Sequence, residues 1–234
     1  MRSETIVTAS SFAANVDHLL ETLEYRTIET DADLDAVLRL RYDAYLKEGA
    51  ITPSESHRLS DSFDHLDNVV NVGVFHEDKL VSALRVHFLS DPDNDSPSME
   101  VFSDLLRPYL EAGKRLVDPN RFVLDYATAR EFPQLAYATV RLSVMASAYY
   151  AAHFSIATIR VEHQAFYKRT FFATPVAPAR YYPLLTKKIS LMLVDYEKDQ
   201  HRIVERSPFY ASTRAEQQRL FGKIKIDRKL EAAA

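Results

Sequence analysis

Charged side chains recur where a simple core would want valine, isoleucine or leucine. The chain carries Leu40-Arg41-Tyr42-Asp43-Ala44-Tyr45, then Asp61-Ser62-Phe63-Asp64, then Arg85 within an apolar run, and farther on Asp118-Pro119-Asn120-Arg121-Phe122. Ionised groups are rarely buried unless paired. Arg and Asp at the ends of strand-like segments therefore point to a polar constellation in a pocket, in which a carboxyl of raised pKa can take up a proton. A second reading stays open. Arg41, Asp61, Asp64, Arg85, Asp118 and Arg121 also suit a structural ion-pair network that holds the irregular segment 50–68 on a sheet.

Composition narrows the chemistry. The chain contains no cysteine, so it has no thiolate nucleophile, thiolate metal site or disulfide framework. Its four glycines, Gly49, Gly73, Gly113 and Gly222, are far apart. That spacing excludes both glycine-rich phosphate loops and the pyrophosphate loop of acetyl-CoA-dependent N-acetyltransferases. His57, His65, His76 and His153 fit no metal-ligand spacing, and no metal is expected. A net charge of −4 argues against nonspecific nucleic-acid binding. The opening residues lack the apolar core of a secretion signal, and the apolar stretch Leu135–Phe154 is interrupted by Arg141 and hydroxyl residues. A cytoplasmic protein without a membrane span is the expectation.

These groups must be positioned by regular elements, and 234 residues suffice for one large domain or two small ones. The pattern predicts a leading helix over 9–23, a strand over 25–29 and a helix from Asp31 that stops at Gly49. An irregular segment over 50–68 follows. Val69–Phe75 and Leu80–Leu89 read as an antiparallel hairpin joined by Glu77-Asp78-Lys79. A helix over Met99–Glu111, a strand over Arg115–Leu124 and a long buried helix over Gln134–Phe154 come next. A strand over Ser155–Val161, a short helix over Glu162–Phe172, a strand over Lys188–Tyr196 and two polar helices complete the chain. This order makes a mixed α/β domain, residues 25–222, between an N-terminal helical extension, 1–24, and a C-terminal tail, 223–234.

The element order resembles that of N-acetyltransferase-like (GNAT) proteins, which implies a mixed central sheet flanked by helices. Leu40-Arg41-x-x-x-Tyr45, Asp61-x-x-Asp64, Arg85 and Asp118-x-x-Arg121-Phe122 resemble the core site of acyl-homoserine lactone synthases. The resemblance is closer to N-acyl amino acid synthases of the FeeM type. It is carried by Tyr45-Leu-Lys-Glu-Gly49, Val117-Asp-Pro-Asn-Arg-Phe-Val123, Val161-Glu-His-Gln-Ala-Phe-Tyr167 and Thr186-Lys-Lys-Ile-Ser-Leu-Met192. Lactone synthases carry Gly-Trp after the first helix, where Trp helps wall the S-adenosylmethionine pocket. Here the pair is Gly49-Ala50 and the chain has no Trp, which points away from lactone synthesis.

The resemblance implies acyl transfer from the phosphopantetheine thioester of an acyl carrier protein to the α-amine of an amino acid, with no further cofactor. Such aminolysis needs a neutral amine beside the carbonyl, an oxyanion donor and a proton for the departing thiol. The candidate catalytic residues are Asp118, Arg121, Glu162 and Tyr167. Asp118 or Glu162 would take the amine proton, directly or through water, if burial raises its pKa, and Tyr167 would protonate the thiolate. Tyr167 also reads as a core tyrosine, and Glu162 and His163 as the start of a short helix. Oxyanion donors are expected from backbone N–H groups at a bulge in the Arg115–Leu124 strand. Arg41, Tyr45, Asp61, Asp64, Arg85, Phe122 and His163 are the candidate substrate-binding residues, and part of the aromatic surplus would line an acyl tunnel. A carrier protein is acidic, so Lys168, Arg169, Arg180, Lys187 and Lys188, extended by Arg202 and Arg206, form the expected docking patch. Two other readings compete: a lactone-synthase-like enzyme, and a non-catalytic carrier- or lipid-binding module of the same fold.

Overall fold

The computed structural model describes residues 2–182 and 184–224. They form α1 (Arg2–Thr22), β1 (Leu23–Thr27), α2 (Asp31–Lys47), β2 (Val69–His76), β3 (Lys79–Leu89), α3 (Pro97–Glu111), β4 (Leu116–Leu124) and α4 (Tyr126–Glu131). The second half adds α5 (Leu135–Tyr149), β5 (Phe154–Ile159), α6 (Gln164–Phe171), β6 (Thr174–Tyr181), β7 (Lys188–Asp195), α7 (Tyr196–Arg206) and α8 (Arg214–Phe221). One seven-stranded sheet runs in the order β1-β2-β3-β4-β5-β7-β6. All neighbours are antiparallel except β4 and β5.

Local sequence explains the element ends. Thr30 caps α2 by accepting from the Asp33 N–H, and Gly49, at φ +62°, takes the left-handed position just past its end. Glu77 and Asp78 both adopt positive φ, the two-residue turn that matches strand twist in a hairpin. The leading helix begins at Arg2 rather than near residue 9, because neither Gly nor Pro interrupts the segment. It lays Val16 and Leu19 into the core. The long helix expected through Phe154 ends at Tyr149, where Ala151 turns to φ +46° and delivers the chain to β5.

Two elements escape the periodicity. α4 is a single capped turn and a half, started by Asp125. β6 contains Pro175 and Pro178, which normally break a strand, but it lies on the sheet edge and pairs only with β7. Of the expected tail, residues 225–234 lie outside the described residues.

Alternation in β3 assigns the two faces. Leu84, Val86 and Phe88 pack with Leu142 and Met145 of α5. Ala83 packs beneath Val37 of α2, and Leu89 beneath Phe102 and Leu106 of α3. Arg85 and His87 fall on that second face, so charge enters the core through the strand register. β4 and β5 pair only at Leu116–Phe154 and Val117–Ser155, and then diverge. That divergence places the site.

Candidate active site

The Asp61-x-x-Asp64 spacing is a capping box. Asp61 accepts from the Phe63 N–H, and Asp64 accepts from the Asp61 N–H at 3.2 Å, around a 3-10 turn over Ser62–His65. The box sets two carboxylates side by side beneath α2 and β3. Arg41, on the inner face of α2 one turn beyond Val37, donates to Asp64 at 2.6 Å and to the Asn71 Oδ1 at 2.7 Å. Arg85 forks onto Asp61 at 2.5 and 3.1 Å, meets Asp64 at 2.8 Å and donates to Asn120. Arg121 places Nε at 3.1 Å and Nη2 at 2.6 Å from the Asp61 Oδ2. Burial alone would raise both Asp pKa values, yet the adjoining guanidinium groups hold them below the usual carboxylate range.

A cavity of about 850 Å³ opens where β4 and β5 part. It is lined by Asn120–Leu124 of β4, Ser155–Ile159 of β5, Tyr45 of α2, and Tyr137, Val140 and Val144 of α5. Helices from both faces contribute, so it passes through the sheet at the splay. Exposed Lys47, Glu48, His163 and Lys187 mark the open side, and buried Val144, Ile156, Val194 and Ile203 the interior. A mostly apolar lining with a few convergent polar groups suits a small-molecule site.

The sequence-predicted residues separate into two groups. Tyr45, Arg121, Phe122, His163 and Tyr167 line the cavity. Arg41, Asp61, Asp64, Arg85 and Asp118 do not; their contacts are with one another, with Asn71, Asn120 and Arg121, or with Ser98. For Arg41, Asp64 and Arg85 the structural reading holds, because all three are enclosed and paired, and they pin segment 50–68 to the sheet. The Arg41-x-x-x-Tyr45 spacing places one helix turn between that network and the cavity wall.

The two base candidates divide sharply. Asp118 is enclosed, and burial raises its pKa although Ser98 donates to it through both backbone and hydroxyl. It does not line the cavity itself; among the described residues Ser98 links it to cavity-lining Thr158, the two hydroxyls standing 3.5 Å apart. Glu162 contradicts the expectation of a raised pKa. It sits in the 3-10 turn Val161–His163 before α6, its side chain 60% exposed and 3.3 Å from Arg160, and its pKa is lowered. A hydrogen bond from its own backbone N–H lowers it most, and the Arg160 guanidinium adds to the effect.

Tyr167, half-buried on α6, has its pKa pushed up to about 12 by burial, and among the described residues its hydroxyl has no hydrogen-bond partner. The bulge expected in β4 is present. Ala83 pairs with Val123 and Arg85 with Asn120, so Arg121 and Phe122 stand opposite Leu84 alone, with Arg121 at φ +52°.

The residues of the expected docking patch have different surroundings. Lys168 and Arg169 are exposed in the last turn of α6, and Arg202 and Arg206 stack on Phe172 just beyond it. Arg180 pairs with Asp104 at 2.6 and 2.8 Å and donates to the Val101 carbonyl. Lys187 lies at the cavity edge, and Lys188 over the Tyr181 ring. Sequence reasoning missed Asn120, Tyr137, Thr158, Arg160 and Tyr182 as lining residues. Only the general aromatic surplus hinted at the tyrosines. Among the described residues no His or carboxylate cluster could hold a metal, and no helix is long and apolar enough to cross a membrane.

Solved structures share this architecture. FeeM, an N-acyl amino acid synthase from uncultured soil microbes, superposes with a TM-score of 0.66 at 15% identity, over 79% of this chain and 96% of that one. The CoA-dependent acyl-homoserine lactone synthase BjaI gives 0.56 at 14% identity, over 80% and 90%. An acyl-CoA N-acyltransferase from Pseudomonas aeruginosa gives 0.51 at 15% identity, over 73% and 98%. Identities this low speak to the fold, which is GNAT-like. A comparison with curated protein sequences gives no match. A family model described as N-acyl amino acid synthase FeeM matches residues 36–195, more than half of the chain, and spans α2 through β7. The protein is an acyltransferase and belongs to the FeeM family of N-acyl amino acid synthases.

Proposed function

We propose that the enzyme moves a long-chain acyl group from the phosphopantetheine thioester of an acyl carrier protein to the α-amine of an amino acid, with no other cofactor. The observation that carries this reading is the cavity itself. It joins a mostly apolar interior, suited to an alkyl chain, to a polar end formed by the β4 bulge, Arg121 and Tyr167. The amine nitrogen attacks the thioester carbon; the C–N bond forms, the C–S bond breaks, and the amine gives up one proton.

Each step has a candidate group. Backbone groups of Arg121 and Phe122, freed from the ladder by the bulge, face the developing oxyanion. A phenol with its pKa near 12 keeps its proton at neutral pH. Full transfer to a thiolate, of ordinary pKa about 8.5, is uphill. Tyr167 therefore acts by hydrogen-bonding the sulfur as charge builds on it. The amine proton leaves through water at the open side, or along Thr158 and Ser98 to Asp118.

Purified protein with acyl carrier thioesters and mixed amino acids should yield N-acyl amino acids by mass spectrometry. Lactones, or no acylated amine at all, would reject the reading. Replacing Lys168 and Arg169 with Glu should weaken carrier binding and reduce its salt dependence; unchanged binding would remove α6 from the docking surface.

A further inference from the structure

Five charged groups meet beneath α2: the guanidinium groups of Arg41, Arg85 and Arg121, and the carboxylates of Asp61 and Asp64. Positive groups outnumber negative ones by one. His87 beside them is neutral, since burial and then Arg85 pull its pKa down to about 3. Asp118 forms no salt bridge with the three arginines among the described residues; it accepts from Ser98, and Ser96 and Arg85 also act on its carboxyl. An uncompensated buried charge is costly, so a site with one excess guanidinium is incomplete without an anion.

Geometry says where that anion goes. Arg41 and Arg85 are fully enclosed, whereas Arg121 lines the cavity. The Arg121 Nε and Nη2 are both spent on Asp61. Its Nη1 has no partner among the described residues, and the residue itself lines the cavity. The residue is held at φ +52° in the bulge, a conformation that a non-glycine residue keeps only when its surroundings impose it. A guanidinium fixed by one carboxylate, with N–H groups left over at a cavity wall, is suited to binding a second carboxylate.

We propose that Arg121 binds the α-carboxylate of the acceptor, so that the enzyme selects amines that carry a neighbouring carboxylate. This rests on the reading of the site as one that acylates amino acids, and it adds the specificity determinant. Bound in this way, an amino acid holds its nitrogen at a fixed distance from the bulge where the thioester carbonyl must lie. An amine without the carboxylate lacks that anchor and leaves the excess charge unpaired.

The test uses the unmodified protein, a carrier-borne acyl donor and three acceptor sets. Glycine, leucine and phenylalanine are each compared with their primary amide and their decarboxylated amine, and kcat/KM is read from N-acylated product by mass spectrometry. A charged hydrogen bond of ordinary strength predicts a preference for the free acid of roughly ten- to hundredfold. Equal rates within a set would overturn the carboxylate assignment and leave acyl transfer to amines intact. Acylation of none of the acceptors would overturn both. Arg121→Lys should keep much of the preference and Arg121→Gln should erase it, with folding checked by circular dichroism. Undiminished preference in Arg121→Gln would also overturn the assignment.

Discussion

Two regions of this enzyme reverse the usual arrangement of a globular protein. Beneath α2 it encloses ionised side chains, with Arg41 and Arg85 at 0% exposure. Between β4 and β5 it leaves apolar side chains such as Val140, Val144 and Ile156 facing a cavity. The first region costs desolvation and the second forgoes packing. Asp61 connects them, since it pairs with enclosed Arg85 on one side and with cavity-lining Arg121 on the other. The difference teaches a division of labour: the ion network fixes the position of a polar wall, and the parted strands hold open the space that the wall faces.

That division breaks first if the network is opened. Asp64→Ala leaves Arg41 and Arg85 short of a counter-ion in an enclosed site and should cost about 3–5 kcal/mol, read from the urea midpoint. A change below about 1 kcal/mol would mean that water reaches the network.

A smaller effect, confined to the cavity, is expected of Tyr167→Phe. Loss of the phenol should lower kcat roughly a hundredfold, near the low end for groups that assist proton transfer. Stability should stay within about 0.5 kcal/mol, because the hydroxyl has no hydrogen-bond partner among the described residues. An activity near that of the unmodified enzyme would return Tyr167 to the core.

Acid should strike the network and spare the cavity. Asp61 and Asp64 have folded pKa values below their unfolded value of about 3.9. Their contribution is therefore fully present above about pH 4 and is lost as the pH falls toward their folded values. The slope is about 1.4 kcal/mol per pH unit for each carboxylate. Asp118 is shifted upward, so its contribution is greatest below its unfolded pKa and declines as the pH rises. Urea midpoints from pH 6 down to pH 3 should fall mainly below pH 4 in the unmodified protein. A flat profile there would show that neither Asp61 nor Asp64 is held ionised.

At the cavity wall the expected effect falls on the product rather than on the rate. Val144→Phe fills existing space rather than overpacking a tight core, and should cost less than about 1.5 kcal/mol. Mass spectrometry should show acyl chains shortened relative to the unmodified enzyme. An unaltered chain-length profile would place the chain elsewhere.

Much of this was legible in the sequence because it is local. The helix stop follows from Gly49, and the hairpin from two apolar runs joined by Glu77-Asp78-Lys79. The bulge in β4 was expected and stands at Arg121-Phe122. β6 was illegible because its prolines are tolerated only through its place at the sheet edge, a property of the whole sheet. The raised pKa expected of Glu162 required a burial that its exposed side chain does not have.

By itself, then, the sequence determined which groups were available: three arginines and two aspartates at spacings that meet, a tyrosine on α6, and an apolar β5. These follow from residue type and from the periods of helix and strand. Which arginine is enclosed and which lines the cavity was decided only by the tertiary structure. Arg85 and Arg121 share a carboxylate and differ in setting because β4 parts from β5 and then bulges. Strand divergence depends on everything packed against both faces, and no window of sequence contains it.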